Sequence, residues 1–446
     1  MARRMLAVTC RGAVAFVLGL LLLTPVGAAA QPVIYLGAHL IDGTGGPLRR
    51  DMAIVTDGER ITAIVPARKL AIKGLGAVEV VDLAGLYVLP GLIDSHEHLR
   101  PGASGKAMMR RDLYSGITAV RDLANDLRDL QGLVAASRSG EIPGPDIYYA
   151  ALMGGPSLFE NPRMHGLSTG FKPGIVPWAQ AIADDADLPA AVARAKGTGA
   201  TAIKIYANLP PPLVAAIAAE AHRQGMLVWA HAAVFPTKPR QVVEAGVDAV
   251  SHVCDLAYQV ANPPPQTIGD RFPVDFEAFA HGDNAELTAL FAEMRRRGVI
   301  LDATNRTYAE GDERPAGGRP RNCTAELAAR LTAQAFRQGV DISTGTDGFA
   351  PPQEPFPPLY DEIGFLARKV RMPPAQVIRS ATLVGAMAAG RQAEMGTIEA
   401  GKLANLMVVR ANPLDDIEAL RTVVLTVKRG RRYPRADYQP AAKGGD

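Results

Sequence analysis

The sequence predicts an α/β protein: a (β/α)8 barrel of the TIM type, joined to a small β-sandwich domain built from both chain ends. Three observations carry this. Eight short apolar runs alternate with Ala-rich helical runs between residues 87 and 347, the pattern of a parallel sheet. The segments on either side hold short β-type runs split by Gly and Asp, too few at either end to bury a face alone. Residues able to do chemistry gather at the C-terminal ends of the apolar runs, where a parallel barrel keeps its active site.

The elements follow in chain order. Residues 1–30 have the form of a secretory signal: Arg3, Arg4 and Arg11, then the apolar run Ala13 to Leu23, then the small residues Val26 to Ala30. The apolar run is short for a transmembrane span of roughly 20 residues, so export to the periplasm or medium is expected, with no stable membrane span after cleavage. The Arg3-Arg4 pair also permits twin-arginine export. Residues 31–90 form the first part of the sandwich, with β-type runs at Val33 to Leu36, Met52 to Thr56, Ile61 to Val65 and Val78 to Val81.

The barrel occupies residues 91–392. Its strand candidates are Tyr87 to His98, Ile117 to Asp122, Asp146 to Met153, Thr201 to Tyr206, Leu227 to Ala232, Ala249 to Cys254, Val299 to Thr304 and Asp341 to Asp347. Helical runs such as Pro211 to Gln224, Asn284 to Arg297 and Ala325 to Gln338 separate them. An open doubly wound sheet would favour a Gly-rich phosphate turn after its first strand, and none is present. Residues 393–438, with Leu406 to Val409 and Val423 to Val427, return to the sandwich, and 439–446 form a polar tail.

Composition excludes some function classes. Charged residues make up 21% of the chain and hydrophobic ones 48%, ordinary values for a globular protein. The net charge of +3 is accounted for by the three leader arginines, so there is no electrostatic case for nucleic acid. Cleavage after Ala30 leaves Cys254 and Cys323; a single bridge between them stays open. Homo-oligomerisation is equally open.

His96 and His98 stand two apart on the first strand and therefore share a face, within reach of one metal ion. His231 and His252 end the fifth and sixth strands, Asp347 the eighth. Lys204 lies in the apolar run Thr201-Ala202-Ile203-Lys204-Ile205-Tyr206. Burying an ammonium there is costly unless it is paired or neutral. It is either a strand-end lysine reaching for solvent or a neutral amine that takes up carbon dioxide as a carbamate, an oxygen ligand able to bridge two cations. Charge favours the second: two divalent ions are nearly balanced by a carbamate, Asp347 and a bridging hydroxide.

The motifs resemble those of the amidohydrolase superfamily over nearly all of the chain after the leader. Pro90-Gly91-Leu92-Ile93-Asp94-Ser95-His96-Glu97-His98 is similar to its first-strand signature, Gly116 to Asp122 to its second strand and Ser343-Thr344-Gly345-Thr346-Asp347 to its eighth. Gly396 to Leu406 resembles its return into the β-domain. The Lys-Ile-Tyr of strand four and the chain length resemble the prolidase and imidazolonepropionase-like branch. The resemblance implies two metal ions, with His96 and His98 on the first, carboxylated Lys204 bridging, His231 and His252 on the second, and Asp347 on the first as proton shuttle. Zn²⁺ leads for this donor set; Mn²⁺, Fe²⁺ and Co²⁺ are chemically compatible. Tyr206, two residues after Lys204, faces the same interior and is either an oxyanion donor or rim packing. Three departures stand out: Pro156 after Gly154-Gly155 where the branch often has His, Val253-Cys254 after His252 where it often has Gly, and Asn405 where it usually has Asp.

The implied reaction is metal-assisted hydrolysis of an amide, of dipeptides or N-acyl amino acids. Lactones, cyclic amides and carbamates are the alternative on the same metal site. A mononuclear deaminase needs no strand-four lysine, and a metal-free binding relative would lack ligands. A substrate carboxylate calls for an Arg fork. Among the arginines of the long loops, Arg306 starts nearest the rim and Arg163, beside His165, is the other candidate; Arg314, Arg319 and Arg321 read as solvated loop charge.

Overall fold

Eight parallel strands form the barrel: Leu92–Glu97, Ile117–Asp122, Asp146–Gly154, Ala202–Ile205, Leu227–His231, Ala249–Ser251, Ile300–Asp302 and Ile342–Ser343. They are called barrel strands 1 to 8 below. Each pairs in parallel with the next. Strand 8 closes on strand 1 through two backbone bonds, Ser95 N–H to the Thr344 carbonyl at 2.8 Å and Asp347 N–H to the His96 carbonyl at 2.9 Å. This computed structural model describes residues 31–71, 77–313, 322–348 and 353–440. The expected leader, the last six residues of the polar tail, and Arg314, Arg319 and Arg321 lie outside the described residues.

Parallel strands of a barrel are covered on both faces, and strands 1 to 3 are buried at every position, including the polar Asp94, Ser95, His96 and Glu97 of strand 1. The covering helices start and stop where local chemistry dictates. Asn284 caps the helix Ala285–Arg297 by accepting from the N–H groups of Glu286 and Leu287, and Gly298 at φ 72° ends it. Its buried face is Leu287, Leu290, Phe291 and Met294. Each such side chain contributes about 1.5–3 kcal/mol of burial. Pro211 opens the helix Pro211–Arg223, where its missing N–H costs nothing.

Both chain ends meet in one eight-stranded sheet. Its order runs Arg431–Pro434, Val423–Lys428, Leu406–Val409, Tyr87–Pro90, Val33–Leu40, Arg49–Asp57, Arg60–Pro66, with Glu79–Asp82 beside Val33–Leu40. The antiparallel pairing of Leu406–Val409 with Tyr87–Pro90 joins the two ends. Tyr35, Leu40, Ile54, Val88, Leu406 and Val427 form the centre of its core. Lys428 and Arg429 lock this sheet to the barrel through Asp146, at 3.1 and 2.8 Å.

Two sequence expectations change in detail. The candidate strand Tyr87 to His98 is two strands, because Pro90 lacks an N–H and Gly91 passes Thr118 so closely that a Cβ would lie 2.2 Å from its Oγ1. Strands 6, 7 and 8 end earlier than expected. The chain turns just beyond each of them through a residue in the left-handed region: His252 at φ 75°, Thr304 at φ 51° and Asp347 at φ 43°. Non-glycine residues held there are strained, and such strain gathers at functional sites. Among the described residues no helix is long and apolar enough to cross a membrane.

Candidate metal centre

The turns at His252 and Asp347 re-aim strand ends toward one cavity at the C-terminal mouth of the barrel. It measures 710 Å³, and His96, His98, Lys204, His231, His252 and Asp347 all line it. The imidazoles form a continuous chain. Ring centres of His96 and His98 are 5.4 Å apart, those of His96 and His252 5.1 Å, and those of His231 and His252 4.4 Å. His96, His252 and Asp347 bring one donor atom each within 4.8 Å of one another.

His96 on strand 1 and His98 just beyond its end are each oriented by the outer nitrogen. His96 Nδ1 sits 2.7 Å from Asp302 Oδ2, and His98 Nδ1 sits 3.0 Å from the Ala124 carbonyl. These partners fix the proton on Nδ1 and leave the Nε2 lone pairs free. Both Nε2 atoms face Asp347 Oδ1, at 3.5 and 3.3 Å. His252 Nδ1 lies 3.0 Å from Thr304 Oγ1 and 3.7 Å from Asp347 Oδ2. His231 Nδ1 is buried with no hydrogen-bond partner. A buried imidazole nitrogen without a partner, beside three more imidazoles and a carboxylate, fits divalent metal ions.

The electrostatics keep three of the four imidazoles in ligating form, while at His98 the effect of burial is outweighed by the hydrogen bond and charge of Asp347, which raise its pKa. Burial lowers His231 well below its usual range and takes His252 down to about 3, so both stay neutral at pH 7. Burial would raise Asp347, but His96, His98 and His252 outweigh it and hold the carboxyl below its ordinary value. Lys204 is 1% exposed, and among the described residues its one hydrogen bond goes to Ser251 Oγ at a long 3.4 Å. Burial lowers it to about 7, so a large fraction of the amine is neutral at physiological pH.

Tyr206 lines the cavity with its ring 4.2 Å from that of His231. Burial raises its pKa, which keeps the hydroxyl a hydrogen-bond donor. The three candidate substrate residues are placed differently from one another. Arg163 is exposed on its loop and lines the cavity. Arg306 does not line it: the helix Asn305–Glu313 begins there, and its guanidinium turns to Glu310 at 3.0 Å and Asp361 at 3.7 Å. His165 lies on the exposed 3-10 stretch Pro162–Ser168 and lines a separate shallow depression.

Several important residues escaped the sequence reading. Asp302, at the end of strand 7, is fully buried and accepts from His96, from Ser251 at 3.0 Å and from Arg121 at 3.4 Å. An acidic residue ending an apolar run is the same signal that marked Lys204, and could have found it. Arg121, also fully buried, stacks on Trp229 at 4.4 Å and fills the barrel beneath the site. Gly345 passes so near that a Cβ there would lie 2.1 Å from Asp302 Oδ1. Asp255, on the 3-10 turn Val253–Gln259, and Arg271, on the irregular loop beyond it, also line the cavity, with no pattern to mark them. Cys254 and Cys323 form a disulfide that ties the turn after His252 to residue 323, settling the pairing that the sequence left open.

Comparison with known proteins accords with this architecture. The model of the amidohydrolase family matches residues 87–433. An imidazolonepropionase from Micrococcus luteus is 24% identical over 379 residues, covering 82% of this chain and 89% of its own. The chain is also similar in structure to a Xaa-Pro dipeptidase with bound methionine, with TM-score 0.68, 23% identity, and 91% and 100% of the two chains covered. An ochratoxinase from A. niger gives TM-score 0.67 and 22% identity, covering 91% and 96%.

Proposed function

This chain belongs to the amidohydrolase family and is a hydrolase of C–N bonds; on that premise we propose that it is an exported, binuclear metal-dependent amidohydrolase that cleaves the amide of a dipeptide or N-acyl amino acid. The observation that carries the reading is the convergence of four imidazoles, Lys204 and Asp347 on one cavity. His96 and His98 would hold the first ion with Asp347, His231 and His252 the second, and a carboxylated Lys204 would bridge them. The amine of Lys204, neutral in large part, is the form that adds carbon dioxide. Divalent ions, Zn²⁺ first for this N/O donor set, would supply a water acidic near neutral pH and a Lewis acid for the scissile carbonyl.

The protein's own groups do the rest. Asp302 and the Ala124 carbonyl hold His96 and His98 in one tautomer. Asp347, kept ionised by the surrounding imidazoles, takes the proton of the attacking water and delivers it to the leaving amine. Tyr206 donates a hydrogen bond to the oxyanion that develops on the carbonyl oxygen. The Cys254–Cys323 disulfide supports export, since such bonds persist in oxidising compartments.

A second reading, hydrolysis of lactones, cyclic amides or carbamates, is favoured by one observation: Arg306, the nearest loop arginine in sequence, is turned away from the cavity. The purified protein should be assayed against dipeptides, N-acyl amino acids, lactones and carbamates, with chelator and with Zn²⁺ restored. Amide cleavage lost to chelator and recovered with Zn²⁺ is the expected result. Chelator-resistant turnover refutes the metal assignment, and turnover of lactones or carbamates alone transfers the function to the second reading.

A further inference from the structure

Two polar atoms of the cavity wall beside the metal centre are buried without a hydrogen-bond partner: Asp255 Oδ2, 3.8 Å from His231 Nδ1, and Arg271 Nε. The two residues face each other, with Arg271 Nη1 3.5 Å from Asp255 Oδ1. Asp255 is 4% exposed and stands between His231 and Arg271, with its Oδ2 toward neutral His231 and its Oδ1 toward Arg271, the cation beside it. Arg271 is larger than that pairing needs. A guanidinium carries five N–H donors in a planar fork, and one long contact leaves most of them free. Its side chain is 31% exposed, and it lines the cavity beside Tyr258, Ile268 and Val274.

The backbone on either side of Arg271 is anchored. Before it, Thr267 N–H donates to the Asp270 carboxylate at 3.1 Å and Ile268 N–H to Asn208 Oδ1 at 2.8 Å. After it, Tyr258 Oη donates to the Phe272 carbonyl at 2.6 Å and Val274 N–H to the Asn322 carbonyl at 3.1 Å. The other acids of the cavity are engaged: Glu310 with Arg306 at 3.0 Å, and Asp347 among the imidazoles. An underused guanidinium on an anchored backbone, against an apolar wall, is matched by a ligand carrying a carboxylate and an apolar side chain.

We infer that Arg271 is the specificity-determining residue that holds the substrate carboxylate, with Asp255 as the positioning residue that aims it. The substrate class is an N-acyl amino acid or dipeptide with an apolar side chain and a free carboxylate; this rests on the amide-hydrolase reading above. The test compares N-acetylphenylalanine with N-acetylphenylalaninamide, reading acetate release in the metal-loaded enzyme. Arg271→Ala should raise KM for the acid about 10- to 100-fold and leave the amide within about twofold. Arg271→Lys should recover part of the loss, and Asp255→Asn should raise KM for the acid more than KM for the amide. The amide serves as the internal control for folding. Equal loss on both substrates, no loss, or the same selective loss in Arg163→Ala alone overturns the inference. If the wild type releases acetate from neither compound while dipeptides and other N-acyl amino acids are also left intact, the amide-hydrolase reading fails by itself. Wherever neither compound is cleaved, calorimetric titration with the same two compounds decides on Arg271: acid bound over amide in the wild type and lost in Arg271→Ala upholds it, and no such preference overturns it.

Discussion

Gly345→Ala should disable the metal centre from behind. Gly345 does not lie in the left-handed region, so the substitution tests volume alone. The new Cβ would stand 2.1 Å from Asp302 Oδ1, 3.0 Å from Asp302 Cγ and 2.8 Å from His96 Cβ, where ordinary contact begins at 3.4 Å. Asp302 must therefore retreat by about 1.3 Å to restore normal contact. The other oxygen of the same carboxylate, Oδ2, bonds His96 Nδ1 at 2.7 Å, and moving the whole carboxylate that far from the ring would take it beyond hydrogen-bonding range. Asp302 cannot slide freely, because Ser251 and Arg121 hold the same carboxylate. Overpacking costs about 1–3 kcal/mol of stability. Loss of a partner that orients a ligating histidine costs roughly 10- to 100-fold in metal affinity or activity. The assay is metal content by elemental analysis, kcat/KM, and the melting temperature of the same preparation. A lowered melting temperature with metal content and kcat/KM within about twofold of wild type would show that Asp302 packs the core without orienting His96.

Other perturbations separate the roles further. Lys204→Ala should lose metal and turnover together, with a short carboxylic acid restoring part of both; normal metal content and turnover would make Lys204 structural. Asp347→Asn keeps shape and one oxygen donor and should lower kcat by roughly 10²-fold or more, the scale of general acid–base catalysis. Near-normal turnover in the metal-replete variant contradicts the shuttle. Reduction of Cys254–Cys323, or the double substitution to Ser, opens a loop closed over 69 residues and should cost about 4 kcal/mol by chain entropy. A melting temperature unchanged by reductant would show that the bond adds nothing to stability.

The part of the site carried by strands was legible because strand geometry is regular. Residues two apart share a face, which paired His96 with His98, and strand ends share a rim, which gathered Lys204, His231, His252 and Asp347. Sequence proximity fails once a strand ends. Arg306 is two residues beyond Thr304, yet a helix starts there and makes Glu310 its neighbour one turn on. Asp255 and Arg271 come together across a 3-10 turn and an irregular loop, where no period predicts facing. Cys254 and Cys323 meet only because the barrel returns the chain to the same rim. Asp302 was legible in principle, as a lone acid in Ile300-Leu301-Asp302, but its meaning depends on His96, far away in sequence and 2.7 Å away in space.

The central claim is that this cavity works through two divalent ions, and metal titration tests it most directly. Metal-free protein is reconstituted with Zn²⁺ in the presence of bicarbonate, and turnover of the preferred amide is followed against bound metal per chain. The account predicts that activity rises to its plateau at about two ions per chain. Full activity with one tightly bound ion, or with none, would contradict it.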